Sequence, residues 1–431
     1  MRTLFYCFFL STFLVTTASA VEYPVGDAES ARKAVRDAKP GDVIVLREGT
    51  WKDVDLRLDG EGTAENPITI RAAVPGKTVI TGASRVRLGG VHLILSGIQM
   101  ENLSGKNSDW LEFRIDSKRR ARHCRVTECL FSEAPEFEVV EKENRWIGLF
   151  GSDNQVDHCR IVGKKNKGAT LVVWLGDEDL GNHRILQNDF GERPRLGSNG
   201  GETIRVGDSG SSMRNAQCLI EGNRFFHCDG EAECISNKSC GNTYRGNLFR
   251  EVQGTLTLRH GNNCLVEGNF FLGAGRRGTG GVRIIGEDHR VLKNYFEELE
   301  GDDFRSAIAL INGIPNSPEN GYLQVKRASV VGNVIVNCKE SLLIGYNDVN
   351  DATLAPLDCR LEENFIFARE GGPAVKMVRA PVGIHWRENL YSGELIGMDP
   401  VPGLTSSDVK KPPRPDLPDE KEIGLSWKLE S

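Results

Sequence analysis

His183-Arg-Ile-Leu-Gln-Asn188-Asp-Phe190 and Cys218-Leu-Ile-Glu-Gly-Asn223-Arg-Phe225 are two copies of one pattern. In each, an aliphatic residue stands three places before an asparagine and an aromatic residue two places after it. Cys264-Leu-Val-Glu-Gly-Asn269-Phe-Phe271, His289-Arg-Val-Leu-Lys-Asn294-Tyr-Phe296 and Cys359-Arg-Leu-Glu-Glu-Asn364-Phe-Ile366 repeat it, the last with isoleucine at the aromatic place. Weaker copies end on Asn247, Asn333 and Asn389, and Cys124 to Phe131 carries Cys129 at the asparagine place. From Asn188 onward the equivalent asparagines lie 35, 24, 22, 25, 39, 31 and 25 residues apart. A near-constant step with variable insertions is the mark of stacked rungs whose loops leave at fixed corners.

A single rung cannot bury its own apolar side chains. Stacking it about 4.8 Å above its neighbour pairs the backbones and closes a continuous core. An asparagine at the corner tolerates a left-handed backbone, and its amide can bond to the amide one rung away. Between the asparagine copies lies a second set of short β-branched strands, including 169–175, 202–206, 255–259, 281–285 and 374–378. No long segment of helical period competes after residue 40. The one strong helix signal is earlier: Asp27 can cap it, Ala31, Ala34, Val35 and Ala38 form its apolar stripe, and Pro40-Gly41 ends it. The expected fold is all-β, a single-domain right-handed parallel β-helix over residues 21–400. The helix covers its open N-terminal edge. Residues 401–431, proline-rich and charged, are expected as a polar tail or a cover for the other end.

Arg2, the apolar run Leu4 to Val15 and the small residues Ala18-Ser19-Ala20 read as a signal peptide over residues 1–20. The run is too short for a permanent membrane anchor, so a secreted or periplasmic location is expected. The 48 glycines suit many tight turns, and a net charge of −6 argues against a nucleic-acid partner. Any polyanion must therefore meet a local basic patch. His123, Cys124 and Cys129 resemble part of a zinc cluster. The repeat suggests otherwise: Cys124, Cys159, Cys218, Cys264 and Cys359 read as one column shared with His183 and His289, a stack of small apolar thiols. The acidic run Glu297, Glu298, Glu300, Asp302 and Asp303 reads as a solvated corner loop, with a calcium site on these hard oxygen donors as the lesser alternative.

Between residues 199 and 283 the chain departs from core-and-turn logic. Glu231 and Glu233, two apart, read as one face of a strand. Lys238, Arg259 and Arg283 lie 9, 10 and 11 places before the asparagines of their rungs, with Arg205 on the rung before. They are expected on neighbouring positions of one surface. Like charges stacked rung on rung repel, so a purely structural sheet avoids them. Both signs gathered in one place point to a site for a metal and an anionic sugar.

Asn199-Gly-Gly-Glu-Thr-Ile-Arg-Val-Gly207, Asp229 to Ser239 and Gly254-Thr-Leu-Thr-Leu-Arg-His-Gly261 closely resemble the signature segments of polysaccharide lyase family 6, which contains alginate lyases and chondroitinase B. Segments 268–273, 280–289 and 312–321 are more similar to the alginate branch. The resemblance implies calcium ligands at Asn199, Glu231 and Glu233, a general base at Lys238, and Arg259 beside the leaving oxygen. It implies substrate contacts from Arg205, His260 and Arg283. The residue types agree: two carboxylates and an amide carbonyl are hard donors suited to calcium. Calcium draws electron density from the substrate carboxylate and makes the C5 proton removable. Lys238 must be neutral to accept it. A guanidinium scarcely deprotonates, so Arg259 is expected to stabilise the departing C4 oxygen by charge, with water or protonated Lys238 giving the proton.

The function this implies is β-elimination on a 4-O-linked uronic-acid polymer, alginate first. Dermatan sulfate is the alternative substrate, and a C5-epimerase would share the proton abstraction. A non-catalytic carbohydrate-binding β-helix needs no base, and a hydrolase would place paired acids where this cluster has Lys and Arg.

Overall fold

The computed structural model describes residues 20–104, 109–138, 142–408 and 410–429. The signal-peptide reading falls on residues 1–20, of which 1–19 lie outside the described residues. Three sheets of fourteen strands each run the length of the molecule. Successive rungs give one strand to each sheet and pair in parallel, as Leu219–Glu221, Arg224–Phe226 and Glu233–Lys238 do with the rungs on either side. The fold is a right-handed parallel β-helix.

The asparagines form a continuous buried ladder. Asn188 Nδ2 donates to Asn223 Oδ1 at 3.0 Å, and the same bond links Asn223 to Asn247, Asn247 to Asn269, and onward to Asn389 at 2.9–3.0 Å. Each amide also donates to a carbonyl of the preceding rung, as Asn247 does to Ile220 at 2.9 Å. The left-handed backbone expected of these residues belongs instead to the residue just before each: Gln187, Gly222, Gly246, Gly268, Lys293, Gly332, Glu363 and Glu388 all have φ between 50° and 65°. That residue makes the corner, which aims the asparagine inward. Beside the ladder, Phe190, Phe225, Phe249, Phe271 and Phe296 stack with centroids 4.5–5.0 Å apart. Five identical rings in one column stack closely, since each repeats its neighbour's shape.

The ten cysteines among the described residues are free thiols. Cys159 is not in the Cys124 column. It sits on Cys129 and below Asn188, whose Oδ1 accepts its N–H at 3.0 Å, because Leu130 pairs with Arg160. The place above Cys124 is held by Asn154, then His183, Cys218, Asn242, Cys264 and His289. Both corners enter a strand through a small buried residue followed two places on by an aliphatic, so a Cys-x-Ile reading fits either.

The helix Ala28–Asp37 is capped by Asp27, which accepts the Ser30 N–H at 2.7 Å, and buries Ala31 and Val35. It lies across the strand Asp55–Glu61, the terminal strand of its sheet. Gly60 permits the approach: a Cβ there would sit 2.9 Å from the Val35 carbonyl oxygen. At the other end the chain adds the strand Leu404–Ser406 and then turns back along the solenoid. Lys411 and Arg414 bind Glu297, Glu420 bridges Arg224 and Arg250, and the Trp427 indole N–H donates to the Glu128 carbonyl at 3.0 Å. The acidic run is solvated only in part, with Asp302 exposed. Glu297 is only 3% exposed and holds the returning segment, while Glu300 pairs with Arg369 and Asp302 with Lys339.

Candidate active site

The strands Ile204–Val206, Glu233–Lys238, Thr255–His260 and Val282–Ile284 are successive members of one sheet. Their inward residues, Ile204, Ile235, Leu256 and Val282 among them, belong to the core. The outward column reads Arg205, Ser236, Thr257, Arg283. Two hydroxyl residues thus separate the two arginines, and the like-charge stacking expected from the sequence does not occur. Between Asn237 and Lys238 the register slips: Asn237 faces Leu258 but Lys238 faces His260, so Arg259 is an extra residue. A bulge of this kind re-aims side chains. Here it brings Lys238, Arg259 and His260 into one cleft.

The bulge rests on a buried polar network. Asn237, on the core side of its strand, donates to the carbonyls of His260 at 2.9 Å and Ser239 at 2.8 Å. Its Oδ1 accepts from Asn242 Nδ2 and the Tyr244 hydroxyl, each at 2.8 Å. Such a fully partnered network inside a core fixes one geometry.

The cleft has a volume of about 520 Å³ and gathers Asn199, Glu231, Glu233, Lys238, Arg259, His260 and Arg283 on its walls. Of the residues singled out by sequence, Arg205 alone is not on those walls. It lies one rung back, its guanidinium 5.2 Å from the centre of the Trp174 ring. Glu231 is not in a strand either. The strand begins at Glu233, and Glu231 precedes it, its Oε2 accepting the Gly200 and Gly201 N–H groups at 2.7 and 3.1 Å. Gly230 and Gly201 pack backbone to backbone, too close for any Cβ, which draws the chain off the strand path.

Burial, with the negative charges of Glu202 and Glu233 nearby, pushes the Glu231 carboxyl up to about 7. Glu202 Oε2 is buried with no partner. Glu233 faces Ser236 Oγ at 2.5 Å, Arg283 Nη1 at 3.4 Å and Arg259 Nε at 3.9 Å. Among the described residues no three His, Cys, Asp or Glu side chains converge as a ready-made metal group. The donor chemistry nonetheless fits a hard cation: three carboxylates and the Asn199 amide line the cleft, one carboxylate oxygen is orphaned, and the repulsion of Glu202 and Glu233 on Glu231 is relieved by positive charge.

The opposite chemistry lines the rest. Arg259 donates to the Gly321 carbonyl at 2.7 Å and lies over the Tyr322 ring at 4.2 Å. Arg283 pairs with Asp348 and reaches the Tyr322 hydroxyl at 3.3 Å. His260 Nδ1 meets Ser212 Oγ at 3.1 Å, and burial, then the charges of Arg259 and Lys238, holds its imidazole down at about 3, so it is neutral in ordinary buffers. Among the described residues the Lys238 amine has no hydrogen-bond or ion-pair partner. Sequence reasoning missed Glu202, Tyr322 and Asp348. Glu202 stands three places after Asn199 in the same segment. Tyr322 lies in the longest insertion between ladder asparagines, the 39-residue step from Asn294 to Asn333.

A family model described as chondroitinase B matches residues 25–411. The chain belongs to that family, polysaccharide lyase family 6. The family 6 alginate lyase AlyGC is 36% identical, with a TM-score of 0.86 over 94% of this chain. This chain spans only 56% of the length of AlyGC. A mannuronic-acid-specific family 6 lyase from human gut microbiota is 29% identical, with a TM-score of 0.81 over 94% of this chain and 96% of that one. A family 6 alginate lyase solved with a trisaccharide shares the fold at 21% identity and a TM-score of 0.79, covering 95% of this chain and 96% of that one. No curated protein matches the chain.

Proposed function

We propose that this chain is a calcium-dependent lyase that cleaves 4-O-linked uronic-acid polymers, alginate first among them, by β-elimination. The observation that carries the reading is one cleft lined at once by an unpaired Lys238 amine, by Arg259 and by the carboxylates of Glu202, Glu231 and Glu233. An alginate lyase at 36% identity and a mannuronic-acid-specific lyase at 29% support the substrate class. Asn199, Glu202, Glu231 and Glu233 would hold the calcium ion, which when bound supplies charge withdrawal from the substrate carboxylate. Lys238, as a neutral amine, takes the C5 proton. The C5–H electron pair becomes the C4–C5 double bond, and the C4–O bond breaks. Arg259, held by the Gly321 carbonyl and the Tyr322 ring, puts a fixed positive charge at the departing oxygen. Protonated Lys238 or water then returns a proton to that oxygen. Neutral His260 and Arg283 orient the sugar. Residues 1–20, read as a signal peptide, suit a polymer met outside the cytoplasm.

The test is ultraviolet absorbance of unsaturated uronates on polymannuronate, polyguluronate and dermatan sulfate in parallel. Signal on an alginate polymer that chelator abolishes and calcium restores supports the reading. Signal on dermatan sulfate alone transfers the chemistry to the other substrate. Lys238→Ala is expected to lose about a thousandfold in kcat, the scale of general-base loss, while still binding oligouronate. Lys238→Arg should not rescue it, because a guanidinium stays protonated. A Lys238→Ala enzyme of near-parental turnover would end this mechanism.

A further inference from the structure

Beside the active cleft, around the corner that leads into its sheet, lies a second cavity of about 430 Å³. The two share Arg195 and Arg305. The second is lined further by Gln253, Arg277, Asp302 and Lys339. Its carboxylates are already occupied: Asp302 pairs with Lys339, and Glu300 with Arg369 at 2.9 Å. The arginines are not. Among the described residues, the side chains of Arg195, Arg277 and Arg305 make no ion pair within 4 Å, and Arg305 lies on the Phe304 ring at 4.4 Å. Arg305 is half-buried, and burial, followed by the nearby charge of Arg195, disfavours its charged form; the Asp302 carboxylate offsets this in part, and Arg283 adds to it.

Unpaired guanidiniums gathered in a partly dehydrated hollow repel one another, and an anion entering between them relieves that repulsion. The hollow falls within the range of small-ligand sites, about 300–1,000 Å³. An arginine fork matches a carboxylate in two parallel bonds. We propose that this cavity is a distal subsite for the carboxylate of a uronate outside the scissile pair, reached by the polymer as it passes between Arg195 and Arg305. The inference rests on the uronate-lyase reading of the cleft. It adds that long substrates are gripped at the corner, by residues that take no part in the chemistry. Arg277 is the residue that isolates it, being exposed and lining only the second cavity.

The experiment compares kcat/KM on a long uronate polymer with that on a trisaccharide of the same sugar, for the parent and for Arg277→Ala and Arg277→Glu. The expected result is a fall of about three- to tenfold in the polymer-to-trisaccharide ratio, larger for Glu than for Ala and smaller at high salt. A ratio within twofold of the parent in both variants overturns the proposal, as does an equal loss on both substrates. Calorimetry in a Lys238→Ala background, with hexamer and trimer, makes the same comparison without turnover. There Arg277→Glu should weaken the hexamer more than the trimer, and equal effects reject the subsite. That measurement decides the subsite even if the parent cleaves no uronate polymer, a result that would sink the lyase reading alone.

Discussion

His183 and His289 stand in a buried column whose other places are held by Asn154, Asn242 and cysteines, and each is fully buried. Burial lowers both imidazoles from the usual 6.5 to about 4. Geometry adds a reason. His183 Nδ1 accepts the Asn154 N–H and His289 Nδ1 accepts the Cys264 N–H, each at 3.2 Å, so the nitrogen that would take a proton is already occupied. The native state then binds fewer protons than the unfolded chain between about pH 4 and pH 6.5. Stability from these groups is complete above pH 6.5 and is lost as pH falls. At pH 5 each histidine costs about 2 kcal/mol, and well below pH 4 about 3 kcal/mol. The perturbation is His183→Asn with His289→Asn, which places an amide oxygen where Asn154 and Asn242 already present one to a backbone N–H. The double variant should be less stable at pH 7.5, because two rings leave space behind. Its loss on going to pH 5 should be smaller than the parent's by about 4 kcal/mol. Urea melts at the two pH values, read as the change in the parent–variant difference, measure this. Parallel losses in parent and variant would refute the reasoning.

Three further outcomes follow from the site and the returning segment. Tyr244→Phe removes one of the two bonds to Asn237 Oδ1 and should cost about 1 kcal/mol. It should also lower kcat several-fold at little-changed KM; a melting shift with full kcat would make the network structural only. Glu202→Gln should weaken calcium binding by about tenfold in calorimetry, since an orphaned carboxylate loses its charge, and an unchanged affinity would remove Glu202 from the site. Deleting residues 408–431 strips the buried Glu297 carboxylate of Lys411 and Arg414 and should lower the melting temperature by several degrees. Glu297→Gln should restore part of that loss, and no restoration would show that charge is not its cause.

The asparagine ladder was readable because one side chain does one job on every rung: the bonds run Asn188 to Asn223 to Asn247 at the sequence steps themselves. Lys238, Arg259, His260 and Arg283 were readable because charges on a β-helix face are costly without a use. Cys159 was misplaced because both corners ask for a small buried residue. Glu231 was misplaced because the close pass of Gly230 on Gly201 is a three-dimensional fact that period-two alternation does not contain. Tyr322 and Asp348 come from insertions, and a repeat gives an insertion's length without its reach. Arg205 shares a column with Arg283, yet its side chain lies over Trp174 rather than on the walls of the cleft.

The fold and the site obey opposite rules, and the contrast locates the site without reference to any relative. Along the core, like stacks on like: asparagine on asparagine and phenylalanine on phenylalanine, each neighbour satisfying the other. Repetition of that kind is stable for neutral side chains and ruinous for charged ones, since the same step that stacks two rings also stacks two charges. A charged site on a solenoid must therefore break the repeat. Here Ser236 and Thr257 stand between Arg205 and Arg283, Arg259 leaves the register in a bulge, and Glu231 leaves the strand altogether. Each departure has its own support, in the Asn237 network, the Tyr322 ring and the Gly200 and Gly201 amides. Where local rules fail together and are braced together, the sequence is serving chemistry rather than the fold.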